Sequence, residues 1–206
     1  MKIKICGITN ELDAKNAVSF GVDMLGFNLY EGSPRAVELD FVKKILKHIP
    51  KNVLKVGVFV NEDKDILHKI ADKHIFDVLQ LHGDEPPSYC EEFKKTAIFK
   101  AFRLTKKKDL KLLSEYKVNS YLLDTYKEGK WGGTGNTFNW DLAKLAVEKF
   151  GSIILSGGLN PENAAQAVRI VKPWAVDVCS GVESSPGKKD KKKMKAFIEA
   201  VRKGCL

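Results

Sequence analysis

A chain of 206 residues with a formal charge of +9 and a pI near 9.3 can bury the core of one domain, and no apolar run in it approaches the roughly 20 residues of a membrane span. The opening MKIKICGIT lacks the long apolar core of a signal peptide, and Cys6, Cys90, Cys179 and Cys205 have neither metal-ligand spacing nor the density of a disulfide scaffold, so a soluble, cytoplasmic protein with reduced thiols is expected. The charge is almost all Lys: only Arg35, Arg103, Arg169 and Arg202 carry guanidinium, and no aromatic residues interleave the Lys runs. That argues for a solvated surface, with residues 106–108 and 188–195 at helix starts or exposed faces, and against a nucleic-acid partner.

Taken in order, residues 2–6 alternate and stop at Gly7, as a strand does, and Asn10 can cap a helix carrying Leu12, Ala14, Ala17 and Val18. Residues 24–29 form a second strand, and an amphipathic run with Phe41, Val42, Ile45, Leu46 and Ile49 stops at Pro50. A third strand at 53–60 leads to Asn61, read as the cap of a helix with Ile66, Leu67 and Ile70. The fourth strand is 78–82, with Pro86 and Pro87 opening its helix; the fifth is 97–102, with a helix over 107–116. Residues 120–124 make the sixth strand, followed by a polar, Gly-rich loop to Asn139 and a helix over 140–149. Strand seven is 152–155, after which Asn160 can cap a helix whose first position is Pro161. Strand eight is 175–178, and the last helix runs from Asp190 to near Gly204 with Met194, Phe197, Ile198 and Val201 on one face.

Eight strand-helix units in strict alternation predict an α/β fold, a single (β/α)8 TIM barrel over residues 1–206. Strand one ends Cys6-Gly7-Ile8 without the G-x-G-x-x-G of a dinucleotide fold, which argues against NAD. Gly157 and Gly158 after strand seven, with Ser180 and Gly181 after strand eight, are two glycine turns whose N–H groups can converge on a phosphate dianion. In such a barrel, function lies at the carboxyl ends of the strands.

The candidates there are few. An isolated strand Cys is usually structural, but Cys6 is the last residue before a Gly and faces the mouth. Lys4 lies on the same face roughly 6–7 Å below, where an ammonium favours thiolate unless it reaches out of the barrel floor. Asp124 ends an apolar strand, where burial disfavours charge and suits a general acid, although a capping Asp fits as well. Asp177 holds the same place on strand eight, beside the phosphate turns, where it can instead hydrogen-bond sugar hydroxyls. Arg35, in the loop after strand two, reads equally as a solvated surface residue or, in a chain so rich in Lys, as a planar fork for carboxylate recognition. His82 reads equally as a ligand contact or a satisfied core histidine. Residues 127–138, with Trp131, suit either a lid or a plain connection.

The sequence resembles the phosphoribosylanthranilate isomerases of tryptophan biosynthesis. The motifs are KICGIT (4–9), GVFVN (57–61), QLHG (80–83), LLDT (122–125), GGTGNTFNW (132–140), LSGGLNPEN (155–163) and VDVCSGVESSPGKKD (176–190), in order along the chain. The resemblance implies a barrel without metal or organic cofactor and an Amadori rearrangement of N-(5-phosphoribosyl)anthranilate. It also implies Asp124 as acid, Cys6 as base, Arg35 on the anthranilate carboxylate, and Gly157, Gly158, Ser180 and Gly181 on the phosphate; His82 and Asp177, by their places at the strand ends, are further expected substrate contacts. Helix faces do not decide whether the chain forms a homodimer. Cys179 stands where the family commonly has Ser, and its neighbourhood to Cys6 raises the expectation that oxidation can bridge the two. The related aminoaldose isomerase of histidine synthesis uses paired aspartates where this chain has Cys6 and Arg103, which argues against that activity. An idle barrel that only senses a phosphorylated ligand is disfavoured by the retention of both Cys6 and Asp124.

Overall fold

Short apolar runs form the strands β1 (Lys2–Ile5), β2 (Met24–Asn28), β3 (Leu54–Phe59), β4 (Val78–Leu81), β5 (Ala97–Phe102), β6 (Ser120–Leu123), β7 (Ile153–Leu155) and β8 (Ala175–Val178). In the computed structural model, which describes residues 1–125 and 139–206, they pair in parallel and β8 returns to β1, closing the barrel. Between them lie α1 (Glu11–Ser19), α2 (Leu39–Leu46), α3 (Lys64–Asp72), α4 (Pro87–Cys90), α5 (Leu110–Leu113), α6 (Trp140–Phe150), α7 (Ala164–Val171) and, last, α8 (Lys191–Gly204).

The strands are apolar on both faces because they serve two cores. Outward residues such as Ile5, Phe27, Leu79, Leu123 and Val176 pack with helix residues such as Ala17, Val42, Leu67, Ala167 and Phe197. Inward residues Met24, Val56, Val78, Phe99, Ala101, Leu122, Ile154 and Ala175 fill the barrel itself. Each large side chain so buried contributes roughly 1.5–3 kcal/mol against the entropy of folding. Period two then fixes what stands above that inner plug. The β1–β8 register pairs Ile3 with Val176 and Ile5 with Val178 on the outer face, and Lys4 with Asp177 on the inner one.

Several local expectations need correction. Asn61 does not cap α3; it sits at a φ of 49° and its side chain accepts from the Asp84 amide, while Asp63 takes the amides of Asp65 and Ile66. Asn160 accepts from Glu162 and Asn163 as a cap does, but the regular part of α7 begins only at Ala164. The fifth helix shrinks to a 3-10 turn at Lys107–Asp109 and four residues of α5, because three lysines at its start oppose the helix dipole. Strict alternation is broken before α8 by a small antiparallel ribbon, β9 (Glu183–Ser185) with β10 (Lys188–Lys189), turning through Gly187 at a φ of 79°. Asn10, Asn139 and Asp190 cap α1, α6 and α8. Among the described residues no helix is long and apolar enough to cross a membrane.

Candidate active site

A cleft of about 540 Å³ opens at the carboxyl ends of the strands, and Cys6, Arg35, His82, Asp124, Asp177 and Cys179 all line it. On one side β1 carries Lys4 and Cys6 inward by its period of two. Lys4 is wholly buried, with Nζ 2.9 Å from Asp177 Oδ1. Burial opposes the ammonium, but the Asp177 carboxylate and Cys6 more than offset it, and Lys4 stays charged. Burial pushes Asp177 up to about 6, with Lys4 drawing it back, so at neutral pH the pair is ionised. Ser156 Oγ lies 3.5 Å from its other oxygen.

Cys6 and Cys179 are both free thiols whose sulfurs share a hydrogen bond. That bond, followed by Lys4 and more distantly Lys189, holds Cys6 well below the usual thiol range against the opposing effect of burial, and Cys179 is pushed well above it. The two cysteines follow Ile5 and Val178, which pair in register across the β1–β8 seam, so they stand on neighbouring strands.

The Arg35 guanidinium is already engaged. Its Nε and Nη2 donate to the two oxygens of Glu183 at 2.9 and 2.7 Å. Burial works against the Glu183 charge, but Arg35 and Lys189, the latter at 2.9 Å, hold its carboxyl below the usual range. Sequence reasoning missed Glu183 and misplaced Lys189: far from lying on a solvated face, Lys189 is buried and bonded to Glu183 and to the Cys179 carbonyl. The available signal was their position inside VESSPGKKD, immediately after a glycine turn.

Across the cleft, Asp124 is buried, with Oδ1 accepting the Thr125 amide at 2.8 Å and Oδ2 lying 3.2 Å from His82 Nε2. His82 Nδ1 lies 2.9 Å from Gln80 Nε2, so both ring nitrogens are engaged and the imidazole is a link in a chain that ends on Asp124. Gln80 was not singled out from sequence. This buried carboxyl and the buried thiol of lowered pKa line one cleft, an arrangement able to support acid–base chemistry.

The two glycine turns meet at the rim. Gly157 and Gly158 have φ of 81° and 66°, and a Cβ on Gly181 would fall 1.9 Å from the Leu159 carbonyl oxygen, so the turns touch where no side chain fits. Their neighbours Ser156 and Cys179 line the cleft while the glycines themselves lie beyond it. Ser180 opens the 3-10 turn that contains Gly181. Among the described residues no group of three metal-ligating side chains converges. The lid expected over 127–138, with Trp131, lies outside the described residues.

A family profile described as "N-(5'phosphoribosyl)anthranilate (PRA) isomerase" matches residues 3–200. The N-(5'-phosphoribosyl)anthranilate isomerase of Citrifermentans bemidjiense is 46% identical over 205 residues, covering 100% of this chain and 98% of that protein. Among solved structures, phosphoribosyl anthranilate isomerase from Thermotoga maritima superposes with a TM-score of 0.91 at 38% identity, covering 98% of each chain. A phosphoribosyl anthranilate isomerase in complex with reduced 1-(o-carboxyphenylamino)-1-deoxyribulose 5-phosphate superposes with a TM-score of 0.88 at 37% identity, again over 98% of each.

Proposed function

The chain belongs to the N-(5'-phosphoribosyl)anthranilate isomerase family, and from that premise we propose which residues carry the reaction. The enzyme converts N-(5-phosphoribosyl)anthranilate into 1-(2-carboxyphenylamino)-1-deoxyribulose 5-phosphate, an Amadori rearrangement in tryptophan biosynthesis. Asp124 acts first, as general acid. Its proton passes to the furanose ring oxygen, the C1–O bond breaks toward that oxygen, and the nitrogen lone pair forms a protonated Schiff base. Cys6 then acts as base: its thiolate takes the proton from C2, and the C–H electrons become the C1–C2 double bond of an enolamine while the iminium is discharged. Loss of the C2 hydroxyl proton and protonation of C1 give the ketone. The iminium acidifies the neighbouring C–H, so a thiolate of modest basicity suffices.

The observation that carries this reading is the thiol and the carboxyl lining one cleft with opposite surroundings. Asp177 is the weaker candidate for the acid because its carboxylate is committed to Lys4. Its second oxygen, with only the Ser156 hydroxyl at 3.5 Å, is the one that would take sugar hydroxyls. With Nε and Nη2 of Arg35 on Glu183, the Nη1 side of the fork is the part that meets the anthranilate carboxylate, and His82 borders the substrate while steadying Asp124. The amides of Gly157, Gly158, Ser180 and Gly181 receive the phosphate. A cytoplasmic location fits a base that must stay reduced.

The test is loss of anthranilate-type fluorescence from freshly made substrate, corrected for spontaneous hydrolysis. Turnover by the wild type, falling by about 10²–10⁴-fold in both Cys6→Ala and Asp124→Asn, is the expected result. An active Cys6→Ala would move the base elsewhere, with Asp177 first in line.

A further inference from the structure

The reaction as read above needs a thiolate at Cys6, yet Cys6 is buried, and burial by itself favours the neutral thiol. Lysines inside a barrel ordinarily extend toward water. Lys4 does the opposite: its side chain has no exposed surface, and its Nζ lies 2.9 Å from Asp177 Oδ1 and faces the Cys6 sulfur, whose charge favours the ammonium. The neighbouring strand makes room for this. A Cβ on Gly26 would stand 2.7 Å from Cys6 Sγ and 3.0 Å from Lys4 Nζ, so ammonium and sulfur lie side by side only because β2 carries no side chain there.

Stability gives a poor account of the arrangement, because apolar residues of similar volume usually replace a buried ion pair without loss. The layer below, with Met24, Phe99, Leu122 and Ile154, shows that this barrel fills its interior that way where no charge is needed. The other groups around the sulfur are the Cys179 thiol, Lys189, Arg35 and Asp177. Lys189 acts on Cys6 less than Lys4 does, and Asp177 is negative; of these cations it is Lys4 whose Nζ shares with the Cys6 sulfur the space left open at Gly26.

We propose that Lys4 is a positioning residue for the isomerase base: its ammonium, anchored by Asp177 and admitted by Gly26, keeps Cys6 ionised beneath the substrate. The proposal rests on Cys6 being that base.

The experiment is the pH dependence of Cys6 alkylation by iodoacetamide, read by peptide mass spectrometry, with folding followed by circular dichroism. Lys4→Met strands the Asp177 charge, so it is compared with Asp177→Asn and with the double variant Lys4→Met/Asp177→Asn, which removes both charges of the pair and is better tolerated. Without Lys4 the half-alkylation pH should rise by at least about one unit, roughly tenfold slower labelling at neutral pH. Asp177→Asn, which keeps the ammonium, should show no upward shift. The acid limb of kcat/KM in the folded Lys4 variants should move upward with the alkylation profile, and turnover should recover at high pH. A double variant that labels like Asp177→Asn overturns the proposal, whatever becomes of Lys4→Met. Alkylation needs no substrate, so an inactive wild type with a lowered thiol profile would count against the isomerase reading and leave the hold of Lys4 on Cys6 standing.

Discussion

The two sides of the cleft solve opposite problems with different materials. Around Cys6 the groups are charged and alternate in sign: Lys4, Asp177, Lys189, Glu183 and Arg35, with the Cys179 thiol between. Around Asp124 they are an imidazole, an amide side chain and a backbone N–H, and no Lys or Arg among the described residues pairs with the carboxyl. A thiol that must lose its proton in a buried place needs positive charge beside it, whereas a carboxyl that must deliver one is served by partners without fixed charge. The difference supports the proposed division of roles, with the carboxyl as acid and the thiol as base, beyond what either residue type alone suggests.

The sharpest way to separate the sides is an oxidant. Peroxide should convert the Cys6 thiolate to a sulfenic acid, which the Cys179 thiol then attacks, forming a disulfide and releasing water. Nearly all activity should vanish with two thiols, both returning with dithiothreitol, while Cys179→Ser should lose only one thiol; full activity with both thiols titratable would sink the idea. On the acid side, His82→Asn should lower kcat about 10- to 10²-fold by loosening Asp124, with the Cys6 alkylation profile unmoved; a displaced profile would show that the two sides are coupled. Cys179→Ala removes the hydrogen bond that contributes most to lowering the Cys6 pKa. Less thiolate at neutral pH should cost about tenfold in kcat/KM, recovering as the pH is raised, and Cys179→Ser should restore most of it. Gln80→Leu, at the far end of the acid chain, should cost only about threefold in kcat, measured in the same assay.

How much of this was readable in advance differs between fold and site. Strand-helix alternation and the glycine turns announce themselves locally, because periodicity and φ > 0 are properties of neighbouring residues. Cys6 and Asp124 stood out because each breaks an apolar strand at its carboxyl end. Their supporting residues did not. Glu183 meets Arg35 across a separation of 148 residues, and Lys189 sits in a run of lysines whose other members face water; one buried member has no local signature. Asn61 misled for the same reason: a short polar residue after a strand resembles a helix cap, and only the approach of Asp84 shows its actual work.

The seam between β1 and β8 has a consequence for how activity arises during synthesis. Lys4 and Asp177 are 173 residues apart, yet each supplies the counter-charge that lets the other enter the barrel. During synthesis Cys6 and Lys4 precede β8, so the ammonium has no carboxylate until β8 is complete, and an unpaired lysine resists burial. Insertion of the last strand therefore closes the barrel and arms the thiol in one event, and a chain stalled before Asp177 keeps an ordinary, unreactive cysteine.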